Sequence, residues 1–363
     1  MFISNFIKAS ILRFLARHKP INFEIKNTKK ILFLRYDRIG DMIITTPIFR
    51  ELKDKFPHVS ITVLASKSNH EVLINNPYID NIVINNKNNF IADLPSLLRL
   101  RKQKFDVCVE FDHSVVPHAI LRLKVIKSKK NISIKKEGRY GVSGDELTLY
   151  DIYTEKPQKR HFRDIWLGLL EPFGIKPQSN NYDLFISEKL NDKSRQFLKQ
   201  FSSNFLIGIN LEGAVQGKKI TFSELEKICK ELYKFDNKIK IIILCPPKNF
   251  LLFGKKIEQM GLSYVEISYK TNTFLDVSAL VSHLDLIITP DTSISHVASA
   301  FNIPVVTIHE NNQDSFQLFA PTSKLSRTVF SKSKNSLNGF SVTLLLRHCF
   351  ELISLIKKEY YEK

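Results

Sequence analysis

Two successive series of short β-branched runs, each alternating with helical patterns, constrain this chain more than any other feature. Residues 31–35 (Ile-Leu-Phe-Leu-Arg), 61–65, 81–84 and 106–111 read as buried parallel strands, and helical stretches near 46–55, 68–74 and 93–103 separate them. That is the βαβ rhythm of a doubly wound sheet. A helix near 161–172 follows, then a polar stretch, Lys176-Pro-Gln-Ser-Asn-Asn181, that reads as a linker. A second series then begins, with strands expected at 205–210, 239–244, 264–267, 284–289 and 304–308. The chain has 363 residues, more than one compact core usually holds. The reading is therefore α/β, with two similar domains at 26–178 and 179–335. A helical segment at 1–25 precedes them. A helix at about 341–359, within 336–363, ends the chain and is long enough to reach back across the domain boundary. Residues 122–145 are basic and short of apolar runs, and read as a surface segment.

Composition excludes several classes. With 43% hydrophobic and 25% charged residues, 12 glycines and 14 prolines, the chain is neither collagen-like nor disordered. No apolar run approaches the roughly 20 residues that cross a bilayer. Cys108, Cys229, Cys245 and Cys349 lie far apart, without a C-x-x-C pair or a histidine cluster, so a reduced, cytoplasmic protein without a structural metal is expected. The net charge is +18, and residues 1–180 hold 31 basic against 18 acidic side chains. Such a field attracts phosphates, whether of nucleic acid, anionic lipid or a phosphorylated glycan, although a lysine-rich proteome alone would produce the same excess. Phe2, Ile3, Phe6, Ile7, Ile11, Phe14 and Leu15 fall at helical spacing with Lys8, Arg13 and Arg17 among them. This basic amphipathic helix either lies on an anionic membrane surface or packs its stripe on the domain behind it.

Two loops carry the candidate chemistry. After the first strand the chain reads Tyr36-Asp-Arg-Ile-Gly40-Asp41, at the carboxyl end of a parallel strand, where α/β proteins place their ligands. Asp41 is a candidate general base, with Arg35 and Arg38 near enough to keep it ionised or to hold an anionic acceptor. Helix capping alone is the competing explanation. After strand 284–289 comes Pro290-Asp291-Thr292-Ser293-Ile294-Ser295-His296. Small hydroxyl residues opening a helix offer free N–H groups and a positive dipole end to a diphosphate, and Asp291 suits sugar hydroxyls. A capped core helix with a satisfied His296 explains the same residues. Lys218 and Lys219 precede a capping box, Thr221-Phe-Ser-Glu224, again past a strand; a lysine there can neutralise a leaving diphosphate or simply be solvated. Neither a P-loop nor a G-x-G-x-x-G fingerprint is present.

Together these segments resemble glycosyltransferase family 9, the ADP-heptose:lipopolysaccharide heptosyltransferases, over about residues 30–310. Ile31 to Pro47 is similar to the family's strand, R-x-G-D turn and T-x-P helix, Asn76-Pro77-Tyr-Ile-Asp80 to its N-P-x-I-D segment, and Asp291 to Pro304 to its D-T-G-x-x-H-x-A-x-A-x-x-x-P motif. The resemblance implies a GT-B architecture, two Rossmann-like domains with parallel sheets facing a central cleft. It implies Asp41 as the catalytic base, Arg35 and Arg38 toward the acceptor, and Lys218, Asp291, Thr292, Ser293 and His296 toward the donor. It further implies inversion in one displacement, no metal and no cofactor beyond the nucleotide-sugar substrate, with ADP-heptose as donor. The implied partner is an anionic glycolipid acceptor at the cytoplasmic face of the inner membrane, with contact to that surface. The chain departs from the family pattern at Ser293, where relatives have glycine, and at Lys218-Lys219-Ile220-Thr221, where they have K-x-W-P. A different sugar for a capsule or envelope glycan, or a non-catalytic glycan-binding relative, remain alternatives. Nucleic acid is not expected, because the basic residues lack an interleaved aromatic platform.

Overall fold

The computed structural model describes residues 2–19, 21–85, 90–157, 159–213, 217 and 219–361, with side chains from Lys8 to Lys358. The chain divides into two compact units, Met1–Asp183 and Leu184–Lys363. In the first, α1 (Phe2–Leu15) precedes β1 (Lys30–Leu34), α2 (Ile39–Lys55), β2 (Ser60–Ser66) and β3 (Asn81–Asn85). The unit continues through α3 (Phe90–Lys102), β4 (Val107–Glu110), α4 (Pro117–Ile126), β5 (Lys130–Ile134), β6 (Ile152–Thr154) and α5 (Phe162–Leu167). Its six strands are all parallel, in the order β3-β2-β1-β4-β5-β6.

The second unit starts with α6 (Glu188–Leu198), β7 (Phe205–Asn210), α7 (Phe222–Phe235), β8 (Ile239–Leu244), α8 (Phe250–Met260) and β9 (Val265–Ile267). It ends with α9 (Phe274–Val281), β10 (Leu286–Pro290), α10 (Ser293–Ala300), β11 (Val305–His309), α11 (Gln313–Phe319), β12 (Ser326–Phe330) and α12 (Val342–Tyr361). Its order, β12-β11-β10-β7-β8-β9, is also all parallel and repeats the first unit's pattern. Both sheets are thus of the Rossmann type. Their central strands are β-branched runs covered on both faces, as in Phe205–Asn210, where every residue is buried. The approach between β7 and its neighbours requires Gly208: a Cβ there would stand 2.6 Å from Leu284 Cδ1 and 2.7 Å from Ile287 Cδ1. Gly208→Ala is expected to cost about 1–3 kcal/mol through overpacking, read as a lowered denaturant midpoint at unchanged m-value.

One sequence expectation changes, and two segments gain detail. Residues 122–145 are not a surface segment. They hold the end of α4 and the whole of β5, and Arg122 and Lys136 are buried. The strand Lys-Asn-Ile-Ser-Ile escapes notice because three of its five residues are polar, and two of these are satisfied inside: Asn131 Nδ2 donates to Leu149 O at 2.8 Å and Ser133 Oγ to Glu110 O at 2.7 Å. The polar stretch 176–181, just before the boundary between the units, is anchored to α2. The buried Glu51 carboxylate of α2 accepts from Gln178 N (2.7 Å) and Ser179 N (3.0 Å), and Arg50 donates to Ser179 O and Asn181 O. The last helix belongs to the core of the second unit, where Leu345, Cys349, Leu352 and Ile353 are fully buried against α7 and the β11–β12 edge.

Candidate active site

In a sheet of order 3-2-1-4-5-6 the chain leaves strand 1 on one side and strand 4 on the other, so a crevice opens at their carboxyl ends. The β1/β4 pair marks this switch point in the first unit and β7/β10 in the second. The two candidate loops of the sequence leave β1 and β10, so each arrives at the switch point of its own unit.

At the first switch point Asp41 sits in the first turn of α2, and its Oδ2 accepts from Arg38 N at 3.4 Å. Arg38, the N-cap residue, is exposed. Arg35 follows β1. Its side chain is 2% exposed, with Cζ lying 3.8 Å from the Trp166 ring centroid and 5.1 Å from that of Phe111. It donates to Asp37 Oδ2 at 2.9 Å and to the Asp41 carbonyl at 3.3 and 3.4 Å, and Nη2 stands 3.6 Å from Asp41 Oδ1. A guanidinium enclosed by two rings and engaged by two aspartates places a cation beside the Asp41 carboxylate. These contacts fit the expectation that Arg35 keeps Asp41 ionised. The Asp41 side chain keeps 17% exposure, an open side toward solvent. Burial raises its pKa above the ordinary value; Arg35 pulls the other way, and Asp37 adds to the rise. A carboxylate moved toward neutrality is a better proton acceptor at working pH than an ordinary aspartate.

Beneath this turn lies a polar cluster that sequence reasoning did not find. Glu110, the last residue of β4, pairs with the Lys136 ammonium, and both are buried. Glu110 Oε2 also accepts from Tyr150 OH (3.0 Å) and Ser133 Oγ (3.2 Å), and Oε1 from Asp112 N (2.5 Å). Lys136 donates besides to Asp112 O at 2.6 Å and to Ser133 Oγ at 2.9 Å. Burial works against the Glu110 charge, but Lys136 and the hydrogen bonds prevail and hold its pKa below the usual range. Asp112 takes the opposite course: burial, then the neighbouring Glu110 and Asp37 charges, push it well up. The only available sequence signal was the acidic spacing Glu110-Phe-Asp112 at a strand end. Nothing pointed to Trp166.

At the second switch point Thr292 caps α10, its Oγ1 accepting from Ile294 N at 3.2 Å, while Ser295 Oγ donates to Thr292 O at 2.7 Å. Asn210, the last residue of β7, donates to Thr289 Oγ1 (3.0 Å) and Thr292 Oγ1 (3.2 Å), fixing the turn from the neighbouring strand. Ser293 is the first residue of α10 and adopts ordinary helical backbone. Asp291 and Ser293 are partly exposed, whereas His296 is buried within the helix. Lys218 lies outside the described residues. The adjoining Lys219 pairs with Glu212 at 2.9 Å, and Thr221 forms the expected capping box with Glu224. Among the described residues no group of three His, Cys, Asp or Glu side chains is placed to hold a metal ion.

Two consecutive Rossmann units, each with polar turns gathered at its switch point, give the α/β, GT-B fold. The model of glycosyltransferase family 9 (heptosyltransferase) matches residues 97–343, well over half of the chain, and the chain belongs to that family. It is 23% identical over 285 residues to the lipopolysaccharide core heptosyltransferase OpsX of Haemophilus influenzae, covering 77% of this chain and 79% of that protein. A solved family 9 glycosyltransferase of Veillonella parvula superposes with a TM-score of 0.75 at 18% identity, covering 91% of this chain and 98% of the other. The Escherichia coli ADP-heptose lps heptosyltransferase II gives 0.68 at 18% identity, with 91% and 99% covered.

Proposed function

We propose that this glycosyltransferase moves heptose from ADP-heptose to a sugar hydroxyl of a lipopolysaccharide or lipooligosaccharide core, inverting the anomeric centre in one metal-independent displacement. The observation that carries the reading is the Asp41 carboxylate, held by a buried Arg35 at the switch point, partly open and raised in pKa. In the reaction the acceptor oxygen forms a bond to the anomeric carbon as the bond from that carbon to the diphosphate oxygen breaks. The hydroxyl proton passes to Asp41, and the electron pair leaves with ADP. The amino end of α10, with Thr292 and Ser293, meets the growing phosphate charge, and Lys218 adds a cation on the strength of the family resemblance. Asp291 orients sugar hydroxyls, His296 supports the turn from within α10, and exposed Arg38 meets the anionic acceptor. The four buried, unpaired cysteines suit a reducing compartment, in keeping with a reaction on the cytoplasmic side of the inner membrane. The relatives named above support both substrates through what their names state.

Thermal-shift measurement against nucleotide-sugars tests the donor. At 100 times Kd a ligand that binds only the folded state adds about 2.7 kcal/mol, so ADP-heptose is expected to raise the midpoint by several degrees where UDP-sugars do not. Stabilisation by a UDP-sugar with none by ADP-heptose would overturn the donor assignment. Lys218→Glu is expected to remove most of the ADP-heptose shift.

A further inference from the structure

One face of the first sheet is covered by α1, α3 and α4, whose inward residues Ala9, Leu12, Leu97, Leu100, Leu123 and Ile126 join a single core. α4 touches both of the other helices. The outward side of this layer is unusual in two independent respects. Large apolar side chains stand in solvent on α1 and α3: Ile91 is 81% exposed and Phe14 69%, with Ile11, Leu94 and Leu98 also exposed. The helices of the layer also expose no acidic side chain of their own, the neighbouring Glu146 being paired with Arg13 of α1. Neither α1 nor α4 contains an acidic residue, and the single one of α3, Asp93, is buried against Arg122 at 2.9 Å. By contrast Lys8, Arg17, Arg99, Arg101, Lys102 and Lys127, on or beside these helices, are all exposed.

We infer that the α1/α3/α4 face docks on an anionic bilayer surface, with Ile91, Leu94, Leu98, Ile11 and Phe14 entering the acyl boundary and the basic residues meeting lipid phosphates. Solvent-facing Ile, Leu and Phe are unfavourable unless something apolar receives them, and the basic rim selects a surface that is also negative. A bilayer with anionic headgroups supplies both. A protein partner would need an apolar groove ringed with carboxylates, and a second copy of this face would set basic residues against one another. Packing of α1 and lipid contact are then compatible: Ala9, Leu12 and Ala16 face the core while Ile11 and Phe14 face outward. The inference is independent of the donor and acceptor proposed above.

The test is flotation of the full chain with vesicles of phosphatidylethanolamine and phosphatidylglycerol, compared with phosphatidylcholine alone. Each basic side chain near an anionic surface contributes about fivefold in binding, so Arg99→Glu/Arg101→Glu/Lys102→Glu is expected to weaken binding to the anionic vesicles by at least roughly 100-fold. Ile91→Ser/Leu94→Ser/Leu98→Ser is expected to weaken it by at least about tenfold. In both variants the thermal midpoint and transfer to a soluble acceptor stay at wild-type values, since every altered residue is exposed. Equal binding to both vesicle types, variants that float like the wild type, or a wild-type chain that ignores vesicles and dimerises through this face would each overturn the inference.

Discussion

Asp41→Asn is expected to lower turnover by about 10²- to 10⁴-fold, the range general-base catalysis supplies, while the ADP-heptose midpoint shift is retained. The substitution separates chemistry from capping. Asn keeps an oxygen that accepts from Arg38 N, so the first turn of α2 loses at most about 1 kcal/mol. If Asp41 served only as a cap, the midpoint would fall slightly and turnover would survive. The pH profile adds a second readout. Because burial and Asp37 raise Asp41, the rising limb of kcat/KM inflects above the ordinary aspartate value of 3.8. Arg35 opposes that rise, so Arg35→Met moves the limb to higher pH, whereas Arg35→Lys keeps the charge but loses the fork and the stacking on Trp166. A loss of turnover in Arg35→Met with the limb unmoved would reduce Arg35 to a structural support.

The largest effect on stability is expected at the buried Glu110–Lys136 pair. Glu110→Gln leaves an ammonium enclosed beside Tyr150 and Ser133 without its counter-charge, at a cost of about 3–5 kcal/mol. Glu110→Gln/Lys136→Met removes both charges and is expected to recover much of that loss, which a double-mutant cycle in urea would measure. The sign of the pH dependence follows from the shift. The folded pKa of Glu110 is depressed, so its stabilisation is complete above the unfolded value near 4.5 and disappears as pH falls through the folded value. The deficit of Glu110→Gln should therefore be large at neutral pH and shrink in acid. Asp112 runs in reverse: its folded pKa is raised, so its ionisation lowers stability as pH climbs above 3.8. A constant Glu110→Gln deficit from neutral pH into acid would refute the ionic account of the pair.

The parts of the site that could be read in advance are those whose physics is local. Asp41 and the Asp291–Ser293 turn were legible because a strand end followed by a capped helix is written in adjacent residues, and the Thr221–Glu224 box for the same reason. The enclosure of Arg35 was not, since it depends on Trp166 and Phe111, which stand far along the chain. Asn210 reaches Thr289 and Thr292 across 79 and 82 positions, and Lys136 reaches Glu110 across 26. β5 was missed because its Asn131 and Ser133 look exposed until partners from other strands are supplied.

The residue pattern by itself determined two Rossmann sheets and the turns that emerge from their carboxyl ends, because β-branched runs, helix periodicity and caps act over a few residues. Tertiary structure alone decided which charges are buried, which carboxylates are raised or held low, and that Arg35 is enclosed by Trp166 and Phe111 beside Asp41. Desolvation and charge pairing depend on distances between residues remote in the chain, and those distances exist only once the sheets have formed.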